Sequence, residues 1–417
     1  MSTQALDLPV VAGGALRSAN FFNGRLLTGD DLRREQETQQ ARLRRLGRAV
    51  GDGVAYGLEV TETTGTSTNS RPVVTVAAGL ALCRSGQPVE LSAPVDLALA
   101  RSGPTAQSEP GALFADCQPF APGTYTAGAG VYVLTIAPAQ QGEGRAPVSG
   151  LTNEPAPCNV ALSVEAVRFR LIRLALPATE FADKARLRNR VAYRFFAPEA
   201  PASFLRDPFG AAPEATLPET LRDQTLHDDE VPLAVVCWSV DDGIQFVDRW
   251  AVRRRPAGAR GEVSFACLVS NRAAAAGEAR FLQFQEQIAE RRLAGGTAAL
   301  RAGDEFERLP ACGFLPLRTS GRPGFDSARF FEGLPKRVRS VFVLDARIPA
   351  LVRDACAYPP IDVSRRELIW LYLSPANSRA GTAAQPYVLF VSGAVPYAAD
   401  ARYDSSRWDL ANYSLPT

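Results

Sequence analysis

Leu233-Ala234-Val235-Val236-Cys237-Trp238, the turn Asp241-Asp242-Gly243, and the run from Ile244 to Val252 together decide the fold class of this chain. Asp-Asp-Gly supplies the turn of a hairpin, and the flanking β-branched and aromatic residues suit a pleated, half-buried surface. Arg253-Arg254-Arg255-Pro256 then reads as the end of a strand and of a domain. Upstream, Val131 to Ile136 predicts a buried strand, and Val167, Phe169 and Leu171 alternate with Arg168 and Arg170 in another. Val73 to Val76, Gly79 to Leu82 and Val89 to Leu91 read as short strands, the last two joined at Ser85-Gly86. Downstream lie strands at Val341 to Leu344, Leu368 to Leu373 and Tyr387 to Val391. Proline- and glycine-rich stretches predict loops over 102–126, 140–157 and 198–218. Short helices are expected from Phe181 to Tyr193 and over Phe281 to Ile288, where Phe281, Phe284 and Ile288 share one face. No internal repeat of useful length is present.

The strongest helical signal lies near the N-terminus, in Phe21-Phe22-Asn23-Gly24-Arg25-Leu26-Leu27-Thr28-Gly29-Asp30-Asp31-Leu32. Asn23-Gly24 is a turn pair, and Thr28 with Asp31 three residues on forms the acidic variant of a capping box. No proline interrupts the chain from there to Val50, and Gly51-Asp52-Gly53 stops the helix. Leu32, Gln36, Gln39, Leu43, Leu46 and Val50 follow the 4-3-4-3-4 spacing of a coiled-coil seam, with glutamine at its middle. The other faces carry Arg33, Arg34, Arg42, Arg44, Arg45 and Arg48. So thin an apolar stripe gains little by packing on its own domain. It leaves a solvated surface helix or a helix that binds a neighbour, and Leu32, Gln36, Gln39, Leu43, Arg44, Leu46 and Arg48 are the residues expected at such an interface.

Composition bounds the rest. The chain has 417 residues, a net charge of +2, 46% hydrophobic and 22% charged residues, which is ordinary for a folded protein of two or three domains. Lys184 and Lys336 are the only lysines, leaving 44 arginines, a side chain suited to bidentate pairing and to interfaces. No window reaches the roughly 18 apolar residues of a membrane helix. The start, Met1 to Pro9, lacks the pattern of a secretion signal, so synthesis and folding in the cytoplasm are expected. Cysteines 83, 117, 158, 237, 267, 312 and 356 include no CxxC pair, and buried reduced thiols are expected.

Little in the sequence points to catalysis. His227, in Leu226-His227-Asp228-Asp229-Glu230, is the single histidine, so a second imidazole ligand does not exist, and a solvated loop before a strand at Val231 is expected. No Gly-x-Ser-x-Gly elbow, phosphate loop or dinucleotide fingerprint occurs. Two carboxylates converging as a glycosidase acid and base remain open, because Asp and Glu total 44. The basic tripeptide at 253–255 has no aromatic stacking platform of the kind that single-stranded nucleic acids need.

The segment Phe22-Asn23-Gly24-Arg25-Leu26-Leu27-Thr28-Gly29-Asp30-Asp31-Leu32, through Gly53-Val54-Ala55-Tyr56-Gly57-Leu58-Glu59-Val60, resembles the opening of a protein group associated with extracellular contractile injection systems, the headless phage-tail-like particles. The hairpin Gly79 to Leu91, Val247-Asp248-Arg249 with Arg253-Arg254, and Leu309-Pro310 to Pro316 resemble further pieces of that group. The resemblance implies a particle component at the baseplate periphery, in a cage or at a fibre attachment. It also implies partners among other particle subunits and copies of the same chain, and is compatible with release as part of an extracellular particle.

These readings converge on an α+β protein, mainly antiparallel β in sandwich-like domains, with one long N-terminal helix. The expected domains are 1–100 (helix and small β module, docking), 127–256 (central β) and 262–417 (mixed). The expected function is structural and non-enzymatic, without cofactor, metal, nucleic acid or membrane insertion. Two alternatives stand beside it: a receptor- or glycan-binding fibre module using Tyr397, Tyr403, Trp408 and Tyr413, and a carboxylate-based saccharide hydrolase.

Overall fold

The structure, a computed structural model, describes residues 13, 15–63, 72–99, 129–147, 158–196, 220–222, 225–239, 241–258, 271–334, 338–365, 367–374 and 385–396. It is an α+β protein of several small, mostly antiparallel sheets. Helix α1 (Gly29–Val50) is followed by β1 (Gly53–Gly57), β2 (Val60–Glu62), β3 (Val73–Val76), β4 (Gly79–Leu82), β5 (Pro88–Leu91) and β6 (Val95–Ala98). These six strands make two three-stranded sheets, β1-β4-β5 and β2-β3-β6.

The central sheet has the order β10-β9-β7-β8, from β7 (Gly130–Pro147), β8 (Cys158–Arg173), β9 (Val231–Ser239) and β10 (Gly243–Asp248). The hairpin expected at Asp241-Asp242-Gly243 is present, with Gly243 paired to Ser239. Both faces of this sheet are covered. Leu134, Ile136, Leu233 and Val236 share a core with Leu58, Val74, Val76 and Leu97 of the two small sheets. Val131, Val133, Val235 and Cys237 pack on the other face with Leu187, Val191 and Phe195 of α3 (Lys184–Phe195), which follows α2 (Ala178–Ala182). Two covered faces explain why β9 reads as an unbroken apolar run rather than an alternating one.

The last third centres on the sheet β12-β16-β15-β13, from β12 (Cys312–Pro316), β13 (Val338–Phe342), β15 (Ile369–Leu373) and β16 (Tyr387–Ser392); β11 (Arg308–Leu309) and β14 (Ile361–Asp362) pair separately. Helix α4 (Asn271–Ala294) supplies Phe284 and Ile288 to one face, beside Val388 and Phe390. Helix α5 (Ile348–Ala355) supplies Ile348 and Leu351 to the other, beside Leu389 and Val391. Edge-on ring pairs such as Phe284–Phe390, with centroids 5.2 Å apart, fill the first of these cores.

The structure corrects the sequence reading in three places. The short helix expected over Phe281 to Ile288 is part of α4, which runs for 24 residues. Gln283 and Gln287 of α4 are buried, and Gln283 Nε2 donates to the Asp248 carboxylate at 3.0 Å, so polar side chains hide its inward face from a hydrophobic pattern. The first part of the loop expected over 140–157 is strand, because β7 and β8 pair from Tyr132–Arg173 out to Pro147–Cys158; 148–157 lie outside the described residues. β10 stops at Asp248, whose carboxylate accepts from the Ala251 amide at 3.0 Å and turns the chain early. One pair, β13 with β15, is parallel.

Candidate interaction surface

Helix α1 begins as its sequence dictates. The Thr28 hydroxyl accepts from the Asp31 amide at 3.2 Å, and the Asp31 carboxylate accepts from the Thr28 amide at 3.1 Å, closing the capping box. The Asp31 carboxylate also takes the Arg25 guanidinium at 2.6 Å. The hydrogen bonds from Thr28, with the Arg25 charge behind them, hold the Asp31 carboxyl below the usual aspartate range.

How the helix seats on the body is set by small residues. Gly47 is buried against the turn at Gly86, and a Cβ at Gly47 would lie 2.0 Å from the Gly86 carbonyl oxygen. Gly86 has φ +85°, and a Cβ there would lie 1.9 Å from the Arg44 carbonyl, so each glycine permits the other's approach. Arg44 donates to Gln87 Oε1 at 3.0 Å, and Gly258 donates its amide to the Val50 carbonyl at 2.8 Å. Earlier in the helix, Thr38 is buried and its hydroxyl donates to the Arg17 carbonyl at 2.7 Å. At 3.6 residues per turn, Gly47 lies roughly 60° and Thr38 roughly 120° around the helix from the Leu32–Val50 seam.

The seam is therefore left outside. Leu32, Leu43, Leu46 and Val50 are 53%, 61%, 65% and 54% exposed. Gln36, Gln39, Arg44 and Arg48 are exposed as well, but only the two glutamines belong to the seam; Arg44 and Arg48 lie roughly 120° and 160° around the helix from it, and Arg44 is bonded to the body. The lead-in adds Phe21, Phe22, Leu26 and Leu27, all exposed. Eight of the fifteen large apolar side chains that stand exposed among the described residues thus fall within 21–50. Monomeric soluble proteins scatter such side chains singly; a concentration of them marks a binding surface. Arg34, Arg42 and Arg48 of the same helix make no ion pair among the described residues.

A second projecting feature was not legible in the sequence. β9 accompanies β7 only as far as Ile136, and from Ala137 to Pro147 β7 is paired with β8 alone. At about 3.3 Å per residue this ribbon reaches roughly 35 Å. Val160, Leu162 and Val164 stand exposed along one of its faces. Prolines and glycines at 138, 142, 144 and 147 gave the ribbon its loop-like sequence, and they are tolerated because its edges carry no further strand.

The buried carboxylates among the described residues are Glu230, Asp248 and Glu305, and each is bonded to an arginine: Arg170, Arg188 and Arg291. Arg188, 8% exposed, also reaches Glu290 and Glu286 of α4. The next residue, Asn189, donates to the Arg308 carbonyl at 2.9 Å and accepts from the Glu307 amide at 2.9 Å. α3 thus ties the central sheet to the last third of the chain. Arg253 pairs with Glu59 at 3.5 Å and Arg255 with Glu278 at 2.7 Å, so the basic tripeptide joins neighbouring parts of the fold. His227 is exposed just before β9, as expected, and no group of three His, Cys, Asp or Glu that could hold a metal occurs among the described residues. No helix among them is long and apolar enough to cross a membrane. Tyr397, Tyr403, Trp408 and Tyr413 lie outside the described residues.

Comparison with known proteins adds little. No protein-family profile matches the chain, and no curated protein matches it. Among solved structures, the crystal structure of TssK aligns with a TM-score of 0.28 and 10% identity, covering 68% of this chain and 51% of that one. The chain thus spans about half the length of that protein. Superposition at this level does not establish a shared fold, and the reading of the surface rests on its own geometry.

Proposed function

We propose that this chain is a structural subunit of a contractile-injection-system or phage-tail-like particle, and that it docks through the outer face of α1. Its partners are other particle subunits and copies of itself, at the baseplate periphery, in a cage or at a fibre attachment. The observation that carries the reading is the concentration of exposed apolar side chains on α1 and its lead-in, on a helix whose inner faces are already occupied. Covering the still-exposed parts of Leu32, Leu43, Leu46 and Val50 would contribute roughly 3–6 kcal/mol, a useful share of a specific interface. Gln36 and Gln39 at the middle of the seam can hydrogen-bond across a wet contact and fix its register, as polar seam residues do in coiled coils. The β7–β8 ribbon offers a second reach toward a neighbour.

Photo-crosslinkers placed at Gln36 and Gln39 in the producing cell test the proposal. Adducts to this chain or to tail-particle proteins are expected, and a chain that crosslinks to neither contradicts it. Gene neighbourhood is an independent check. Sheath, tube and baseplate genes alongside support the class, whereas isolation among metabolic genes discredits it.

A further inference from the structure

Three of the four cysteines whose side chains are described behave as small buried hydrophobes. Burial pushes the Cys83 and Cys237 thiols up to about 12, which makes both inert near neutral pH. Cys312, at the start of β12, is only 1% exposed. Cys356 differs: it caps the C-terminal end of α5 and is partly exposed.

Cys312 and Cys356 come together where the end of α5 meets β12. They also share a neighbour. The Val352 carbonyl accepts from the Cys356 amide at 3.1 Å and lies 3.7 Å from Cys312 Sγ. Both line one narrow recess with Gly277, Arg280, Phe281 and Tyr358. Gly277 is required there, since a Cβ would fall 1.8 Å from the Cys356 carbonyl oxygen. Arg280 has no carboxylate partner among the described residues, and it faces the two sulfurs and the Tyr193 hydroxyl. Glu278, whose charge bears on Cys356, is bonded to Arg255.

This arrangement separates the two thiols. The end of a helix disfavours an anion at Cys356. The Cys312 S–H donated to Cys356, and then the Arg280 charge, outweigh burial and hold the Cys356 thiol below its usual range. The same bond holds the Cys312 proton in place and, with burial, pushes that thiol up. A partly exposed cysteine with thiolate character, beside a buried second cysteine, is the arrangement of a peroxide-reactive dithiol.

We propose that Cys356 is a peroxide-modified cysteine and that Cys312 resolves it to an intramolecular disulfide, tying α5 to β12. The Cys356 thiolate attacks one oxygen of hydrogen peroxide; the S–O bond forms, the O–O bond breaks, and the departing hydroxide takes a proton to become water. The Cys312 sulfur then attacks the sulfenic acid sulfur; the S–S bond forms, the S–O bond breaks, and hydroxide leaves with the Cys312 proton as a second water. Peroxide is reduced and the two thiols are oxidised, so the atoms and electrons balance.

The test uses the full-length chain, reduced, freed of reductant and treated with one equivalent of hydrogen peroxide. A loss of about 2 Da and a Cys312–Cys356 crosslinked peptide are expected. Cys312→Ser should instead leave a Cys356 sulfenic acid that dimedone captures, and Cys356→Ser should leave Cys312 unmodified. Arg280→Gln should slow the oxidation at least several-fold. Should that variant fail to fold, native-state alkylation of the unaltered chain decides, with Cys356 expected to react at least tenfold faster than Cys83 or Cys237. Equal alkylation rates, or a disulfide to any other cysteine, would overturn the proposal.

Discussion

Leu43→Glu is the sharpest probe of α1, because the structure separates its effect on folding from its effect on association. Leu43 is 61% exposed, so the chain's own fold should lose no more than about 0.5 kcal/mol, the usual range for a surface change. In a complex, covering the exposed part of this leucine would contribute roughly 1–2 kcal/mol. A glutamate there forfeits that amount and adds a carboxylate to desolvate, roughly another 1–3 kcal/mol. The sum, about 2–5 kcal/mol, corresponds to a weakening of Kd of roughly 30-fold to several thousand-fold. Gly86→Ala is the matched control, placed where the same helix seats on the body. Its Cβ would meet the Arg44 carbonyl at 1.9 Å from a residue with φ +85°, so it should cost about 1–3 kcal/mol of stability. Thermal unfolding of the isolated chain reads the first effect; sedimentation velocity and co-purification with particle subunits read the second. The reasoning is refuted if Leu43→Glu lowers the melting temperature as much as Gly86→Ala does, or if it leaves every association unchanged.

Four other expectations follow from the same geometry. Thr28→Ala should cost about 1 kcal/mol of helix stability and raise the Asp31 titration midpoint, followed by carboxyl NMR; an unchanged midpoint would show that the capping box does not hold that carboxylate. Because the folded Asp31 carboxyl titrates below its ordinary value of 3.8, its support of α1 is complete above that value and is lost as pH falls through the folded midpoint, which amide exchange in the first turn should register. Removing one partner of the buried pair, as in Arg188→Met, should cost about 3–5 kcal/mol by stranding Asp248, and Asp248→Asn should cost less; near-neutral behaviour of Arg188→Met in denaturant unfolding would show that α3 is not the tie described. Replacing 140–165 by a short turn should leave thermal stability nearly unchanged, because β9 pairs with β7 only up to Ile136, and failure of that variant to fold would mean the ribbon is packed rather than free.

Signals that act within one turn or one hairpin were legible in the sequence. Thr28 and Asp31 meet because three residues of helix bring them together, and Asp241-Asp242-Gly243 folds back because that turn suits the twist of its strands. The seam spacing of α1 was equally local, which is why Leu32, Gln36, Gln39, Leu43 and Leu46 follow one exposed stripe. Tertiary structure alone decided which side of α1 stays outside, since that depends on Gly47 meeting Gly86, 39 residues away, and on Thr38 meeting Arg17. It also decided that Gln283 and Gln287 point inward to Asp248, that the proline-bearing stretch after Ile136 remains strand, and that Cys312 and Cys356 become neighbours. In each case the deciding group is far along the chain, so a residue's own neighbours in sequence carry no record of it.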